Sequence, residues 1–272
     1  MKVNGIEIKG RSVSGYATAI ALPEYNIVFD CGMAVHDAVQ AEHVCITHGH
    51  LDHFSGIARH AYIRGMTGMA KSHFIVPAWL EGRVHQTMDF WAEVQESRKA
   101  PYKVTVCQEG GGPIWVGRNR IIRSFKTDHR IRSQGYILVE ERKRLKPEFV
   151  GTSGKELGRM RRERIQFEET FEVPLVAFTG DSRIEGFDWL QTRAKVLIAE
   201  CTFLGDVTVG EARKKGHTHI TELASKAAQF KDAEALVLCH FSKRYSNKDI
   251  EKAIASLPAS LRDKTTYLPV GK

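Results

Sequence analysis

Four residues with metal-binding side chains, His48, His50, Asp52 and His53, fall within six consecutive positions of the stretch Thr47-His48-Gly49-His50-Leu51-Asp52-His53. Imidazole and carboxylate together suit zinc or a similar divalent ion, and metal sites that hydrolyse esters often hold two such ions. Gly49 lets the chain turn sharply, so that several side chains can converge. A helix-capping loop with merely exposed histidines is the bland alternative, but a cluster this dense rarely has another use.

The positioning elements follow from where the cluster sits. Val44-Cys45-Ile46, just before it, reads as the end of a buried strand. The same arrangement recurs along the chain: apolar strand-like runs end in His48, His129, Asp181, Glu200 and His240. Chemistry gathers just beyond strand ends in an α/β sheet. One polar residue there is an ordinary loop residue; five in register are improbable as coincidence.

Between these ends the pattern is strand and helix in turn. Ile6 and Ile8 alternate with polar neighbours as in an edge strand, and 16–22 and 26–29 read as a hairpin turning at Pro23-Glu24-Tyr25. Residues 103–106, 114–116, 121–125 and 134–140 read as strands, and 53–64, 220–230 and 249–257 as helices. The longest helical pattern, 79–97, carries Trp79, Leu80, Val84, Met88, Trp91 and Val94 at three- and four-residue steps, a core stripe or a dimer face. From Glu141 to Glu172 apolar periodicity is poor, and basic residues mix with glutamates and glycines; this reads as an exposed insertion in one domain spanning 1–272.

Composition narrows the class. A chain 42% hydrophobic and 26% charged can bury a full core, and its formal charge of +8 favours a polyanionic partner without requiring one. Cys31, Cys45, Cys107, Cys201 and Cys239 are odd in number, form no Cys-x-x-Cys pair and mostly sit in or beside apolar runs. They read as reduced, buried small hydrophobes, and with no apolar signal core and no run of membrane-spanning length the expectation is a cytoplasmic protein.

The stretch 47–53 resembles the signature of the metallo-β-lactamase superfamily. Within it, His129-Arg130-Ile131-Arg132-Ser133-Gln134-Gly135-Tyr136, Thr179-Gly180-Asp181-Ser182, Glu200-Cys201-Thr202-Phe203 and His240-Phe241-Ser242-Lys243-Arg244-Tyr245 resemble ribonuclease Z over essentially the whole chain. The resemblance implies an αββα sandwich, two mixed sheets facing each other with helices outside. It implies endonucleolytic removal of the 3′ trailer from precursor tRNA, two Zn2+ ions (or Mn2+ or another divalent ion) and a homodimer. His48, His50 and His129 would hold one ion, Asp52, His53 and His240 the other, with Asp181 bridging. Seven ligands for two ions leave room for a water that such a pair deprotonates near neutral pH.

The family's histidine–glutamate pair supplies a proton to the leaving 3′-oxygen. Glu200 matches the glutamate, and of Gly216-His217-Thr218-His219 the histidine that fits best is His217, with His219 the alternative. Catalysis would then rest on Asp52, His217 and Glu200. Ser242, Arg244 and Tyr245 would hold phosphate oxygens. The insertion lacks the long arm of most bacterial members and resembles the short basic arm of the plant-type short form. Lys155, Arg159, Arg161 and Arg162 would meet the RNA there; otherwise they form a solvated helix face. The rivals are a phosphodiesterase or other hydrolase of this fold acting on a non-tRNA substrate, and a non-catalytic RNA-binding relative.

Overall fold

The computed structural model describes residues 1–189 and 194–271. Two seven-stranded sheets face each other. The first runs, edge to edge, Phe241–Ser242, Lys9–Ser14, Ala17–Leu22, Ile27–Phe29, His43–Cys45, Ser72–Val76 and Tyr102–Val106. The second runs Thr265–Tyr267, Ala235–Cys239, Val196–Glu200, Glu168–Phe178, Gln134–Leu145, Arg120–Lys126 and Ile114–Gly117. Both mix parallel and antiparallel neighbours. The core is three apolar layers, one between the sheets and one beneath the helices on each outer face.

Strand periodicity explains the layers. Val196 and Ile198 point into the inter-sheet layer, Leu197 and Ala199 into the helix-covered one, so this strand reads as an unbroken apolar run. Phe29 of one sheet stacks on Phe178 of the other, ring centroids 5.2 Å apart. Tyr136 ties the sheets with a polar contact: its buried hydroxyl donates to the Ile46 carbonyl at 2.7 Å and accepts from Gln134 Nε2 at 2.9 Å. The residue before it must be glycine, because a Cβ on Gly135 would stand 2.2 Å from the Phe125 ring.

Two expectations change. The stripe along the helix Ala78–Val94 divides: Leu80, Val84 and Met88 are buried, whereas Trp79, Trp91 and Val94 are exposed, together with Phe90. The strands expected to stop at Glu140 and resume at Leu175 continue through the charged segment as one long hairpin, paired from Tyr136–Phe178 out to Leu145–Glu168. Their outer neighbours leave them early, at Glu140 on one side and Val176 on the other. Beyond that the hairpin is a two-stranded ribbon with solvent on both faces, so it needs no apolar alternation. Its tip carries the helix Gly154–Arg162, N-capped by Ser153, with Met160 and Phe167 buried beneath. Among the described residues no helix is long and apolar enough to cross a membrane.

Candidate active site

The strand ends converge. His48 and His50 come from the loop after His43–Cys45, and Asp52 and His53 from the one-turn helix Leu51–Phe54. His129 comes from the loop before Gln134–Leu145, Asp181 from beyond Glu168–Phe178, and His240 from between Ala235–Cys239 and Phe241–Ser242. Their ligand atoms form two groups, one of His48, His50, His129 and Asp181, the other of Asp52, His53 and His240. Asp181 follows Gly180, whose φ of +60° suits glycine and whose missing Cβ would stand 2.8 Å from the Thr47 side chain. His240 itself adopts a left-handed φ of 61°, unusual for a residue with a side chain and characteristic of a constrained site.

Asp181 lies between the groups. Its Oδ1 is 3.3 Å from His53 Nε2 and 3.2 Å from His240 Nε2. Its Oδ2 is 3.7 Å from His48 Nε2 and 3.9 Å from His129 Nε2. Although nitrogens stand so close, Oδ1 is buried and accepts no well-aligned hydrogen bond. A buried carboxylate oxygen left in that state is completed by a water or a cation, and the imidazoles around Asp181 suit a cation.

The far nitrogens explain why. His48 Nδ1–H donates to Thr47 Oγ1 at 2.9 Å, His53 Nδ1–H to Asp30 Oδ2 at 2.7 Å, His129 Nδ1–H to the Gly216 carbonyl at 2.7 Å and His240 Nδ1–H to Thr202 Oγ1 at 3.0 Å. Each of these four rings therefore spends its proton outward and turns the Nε2 lone pair inward, the tautomer of a metal ligand. The inward nitrogens are 3.0 Å apart between His48 and His50, 3.3 Å between His50 and His129 and 3.2 Å between His53 and His240. Nitrogens bound to one tetrahedral zinc stand roughly 3.3 Å apart. The residues fit a pair of divalent ions.

Burial pushes His48, His50 and His129 below the ordinary imidazole range, which keeps their lone pairs available. Burial also works against the charged form of His53, but the carboxylates of Asp181 and Asp30 outweigh it and raise that ring. Asp52 receives a 2.7 Å hydrogen bond from the Gly15 N–H. Burial opposes its charge, yet the neighbouring His240 and His53 rings bring it down to about 2.

Glu200 is fully buried beside the cluster. Its Oε1 accepts from the N–H groups of Ser182 and Thr218 and from His217 Nδ1, at 3.0 to 3.1 Å, and its Oε2 from the Thr202 N–H and hydroxyl. The His217 ring lies against those of His129 and His240, with centroids 5.1 and 5.4 Å away. Burial lowers its proton affinity, but the charge and hydrogen bond of Glu200 more than offset this, so the net shift is upward. His219 is engaged elsewhere. Its Nε2–H donates to the Leu204 carbonyl at 2.6 Å, and its Nδ1 accepts from Thr221 as the N-cap of the helix Ile220–Ser225.

The expected phosphate-binding trio is split. Ser242 and Arg244 lie at the surface next to His240, but Tyr245 is buried. Its hydroxyl accepts from the Leu204 N–H at 3.0 Å and donates to Asp206. The polar end of Tyr245 is therefore engaged within the protein, unlike the side chains of Ser242 and Arg244 at the surface. Arg159 pairs with Glu156 and Glu163, and Arg161 pairs with Glu168 while lying over Phe167. Among the described residues, Lys155 and Arg162 are exposed without an ion pair, and all four stand at the far end of the hairpin from the cluster.

Asp30 and the partners Thr47 and Thr202 escaped the sequence reading. Asp30 is fully buried and also accepts from the Thr47 N–H at 2.7 Å and the Thr47 hydroxyl at 2.9 Å. The signal was present, since Asp30 too stands at the end of an apolar strand, Ile27–Phe29.

No protein-family model matches the chain. Among curated proteins it is 33% identical to tRNase Z TRZ1 of Arabidopsis thaliana, across 100% of this chain and 98% of that one. It is 30% identical to the chloroplastic tRNase Z TRZ2 of the same organism, across 100% and 77%, and 29% identical to the ribonuclease Z of Streptomyces coelicolor, across 80% and 74%. Among solved structures it is similar to the human short-form tRNase Z, with a TM-score of 0.62 at 18% identity over 97% and 96% of the two chains. Similarity to the metallo-β-lactamase fold protein YhfI of Bacillus subtilis gives a TM-score of 0.63 at 18% identity over 96% and 95%. The fold is the metallo-β-lactamase sandwich.

Proposed function

The chain belongs to the ribonuclease Z (tRNase Z) family, and from that premise we propose that it is a zinc-dependent endoribonuclease that removes the 3′ trailer from precursor tRNA and leaves a 3′-hydroxyl on the tRNA. The observation that carries this reading is the two-sided environment of Asp181, one oxygen toward His53 and His240, the other toward His48 and His129. A donor set rich in imidazole suits zinc, with manganese or another divalent ion as the alternative. His48, His50 and His129 would hold one ion, Asp52, His53 and His240 a second, and Asp181 both. Bound there, the ions would supply an activated water and neutralise charge on the phosphodiester.

The protein's own groups do the rest. Asp30, Thr47, Thr202 and the Gly216 carbonyl hold the histidine rings in their ligating tautomers. Asp52 is held in its ionised form. Glu200 orients His217 through Nδ1, so the opposite nitrogen can carry the proton that the departing 3′-oxygen takes. Ser242 and Arg244 offer a hydroxyl and a guanidinium to phosphate oxygens next to His240. Lys155, Arg159, Arg161 and Arg162 supply positive charge for RNA farther along, on the inserted arm of the single domain. The exposed apolar residues Phe90, Trp91 and Val94 support a homodimer, and five buried free cysteines support the reducing cytoplasm.

The test is incubation of the purified protein with a precursor tRNA of known trailer, with both product ends mapped. A single cut next to the discriminator nucleotide, giving a 3′-hydroxyl and a 5′-phosphorylated trailer, is expected. Scattered cuts, or activity confined to small phosphodiesters, would refute the tRNA reading.

A further inference from the structure

The loop that delivers His129 has a second side, which the chemistry at the cluster leaves unused. Between residues 125–134 and the first turn of the helix Ala78–Val94 lies a cavity of about 750 Å³, and His129 forms part of its wall. We propose that this cavity binds the unpaired trailer nucleotides, with a base stacked on Trp79 and the backbone held by Arg130 and Arg132. The inference rests on the precursor-tRNA reading above and adds a second binding site to it.

The wall argues for such an occupant. Trp79 is 36% exposed although Leu80, Val84 and Met88 of the same helix are buried, so the indole is not part of the core. Arg130 and Arg132 are exposed, and among the described residues neither pairs with a carboxylate. Of the two acids in the wall, Asp128 is already bound by Arg183 at 2.9 Å, which leaves Glu109 against Arg130 and Arg132. An aromatic surface beside surplus positive charge is how proteins hold single-stranded nucleic acid without reading sequence. On the other side of the cut one unpaired nucleotide leads into a paired stem, whose stacked bases cannot enter a cavity. The loop also closes the sheet at the end opposite the arm, so a stem running toward the arm would direct the trailer here.

The test couples the indole to the bases. Wild-type protein and the Trp79→Ala and Trp79→Phe variants are compared on two precursors that differ only in whether the first trailer nucleotides carry bases or are abasic. Stacking on one aromatic ring corresponds to roughly five- to hundredfold in binding. Removing the bases should lower wild-type kcat/KM by about tenfold or more, within that range. Trp79→Ala should lose a similar factor on the intact trailer and little more on the abasic one, and Trp79→Phe should keep most of the sensitivity to the bases. Independent losses that multiply would overturn the proposal. If wild-type protein cuts neither precursor at the discriminator, the tRNA reading itself fails and this inference falls with it. Site-specific cutting without coupling removes this inference alone.

Discussion

Two histidines two positions apart should fail in opposite ways when replaced. His217 lies against the His129 and His240 rings, and among the described residues its side chain hydrogen-bonds to Glu200, at 3.1 Å. Losing a positioned proton donor costs about 10² to 10⁴ in the chemical step. His217→Ala should therefore lower the single-turnover rate by at least about a hundredfold. Its effect on stability should be small, because Glu200 keeps its hydrogen bonds from Ser182, Thr218 and Thr202. His219→Ala removes the N-cap of Ile220–Ser225, worth about 1 kcal/mol. It also removes one of two donors to the buried Leu204 carbonyl, which keeps the Val207 N–H at 3.2 Å, about 0.5 to 1.5 kcal/mol more. The sum of roughly 1.5 to 2.5 kcal/mol corresponds to a fall in Tm of about 3 to 10 °C for a chain of this size. The folded fraction should still cut within a few-fold of wild type. Thermal unfolding and cleavage under saturating enzyme, well below the Tm of either variant, separate the two effects. A His219→Ala protein with unchanged Tm and a rate lower than that of His217→Ala would refute this assignment, as would a His217→Ala protein that retains more than a tenth of the wild-type rate.

Asp181→Ala should abolish cleavage and lower the zinc content of the purified protein, because both groups of histidines lose their shared carboxylate; full zinc content would contradict a bridging role. Replacing Arg159, Arg161 and Arg162 together with Ala should weaken precursor tRNA binding and reduce the log–log salt slope by roughly one to three units. An unchanged slope would make the arm a solvated face. His60 should govern part of the acid stability: its Nε2–H donates to the carbonyls of Ala38 and Ala41 and its Nδ1 accepts from Ser72, while burial pushes the ring down to about 4. The unfolded chain takes up that proton near 6.5, so the stability conferred by the neutral ring is complete above pH 6.5 and is lost as pH falls toward 4, up to roughly 3 kcal/mol. The stability gap between wild type and His60→Asn should accordingly narrow across that window; a constant gap would show that the ring is not held neutral.

The residues proposed to hold metal were legible because they are dense in sequence and stand at strand ends, where the apolar runs stop. Asp30 and Thr202 were not, because they act through the far nitrogens of rings 23 and 38 positions away, a relation that exists only once the sheets are stacked. His217 and His219 were separable only by motif until the fold turned one ring to Glu200 and the other to the Leu204 carbonyl. Tyr245 carries a hydroxyl beside Arg244 in sequence, and nothing in one dimension records that Asp206 and the Leu204 N–H already occupy it. The outer hairpin escaped because a ribbon wet on both faces leaves no apolar alternation to read.

That hairpin also fixes a length. Gln134 lies at the cluster end, where its N–H donates to the Thr47 carbonyl, and Leu145 lies at the tip. Eleven residue steps separate them, and at about 3.4 Å per step the strand spans roughly 35 Å. One turn of a B-form duplex covers about the same distance, and one turn of A-form RNA somewhat less. An RNA in contact with both ends must keep its helical shape for about a full turn back from the scissile bond. A shorter stem would reach the cutting edge without reaching the tip. The protein would then work as a gauge, admitting substrates by how far their double helix continues and leaving the base sequence free to vary.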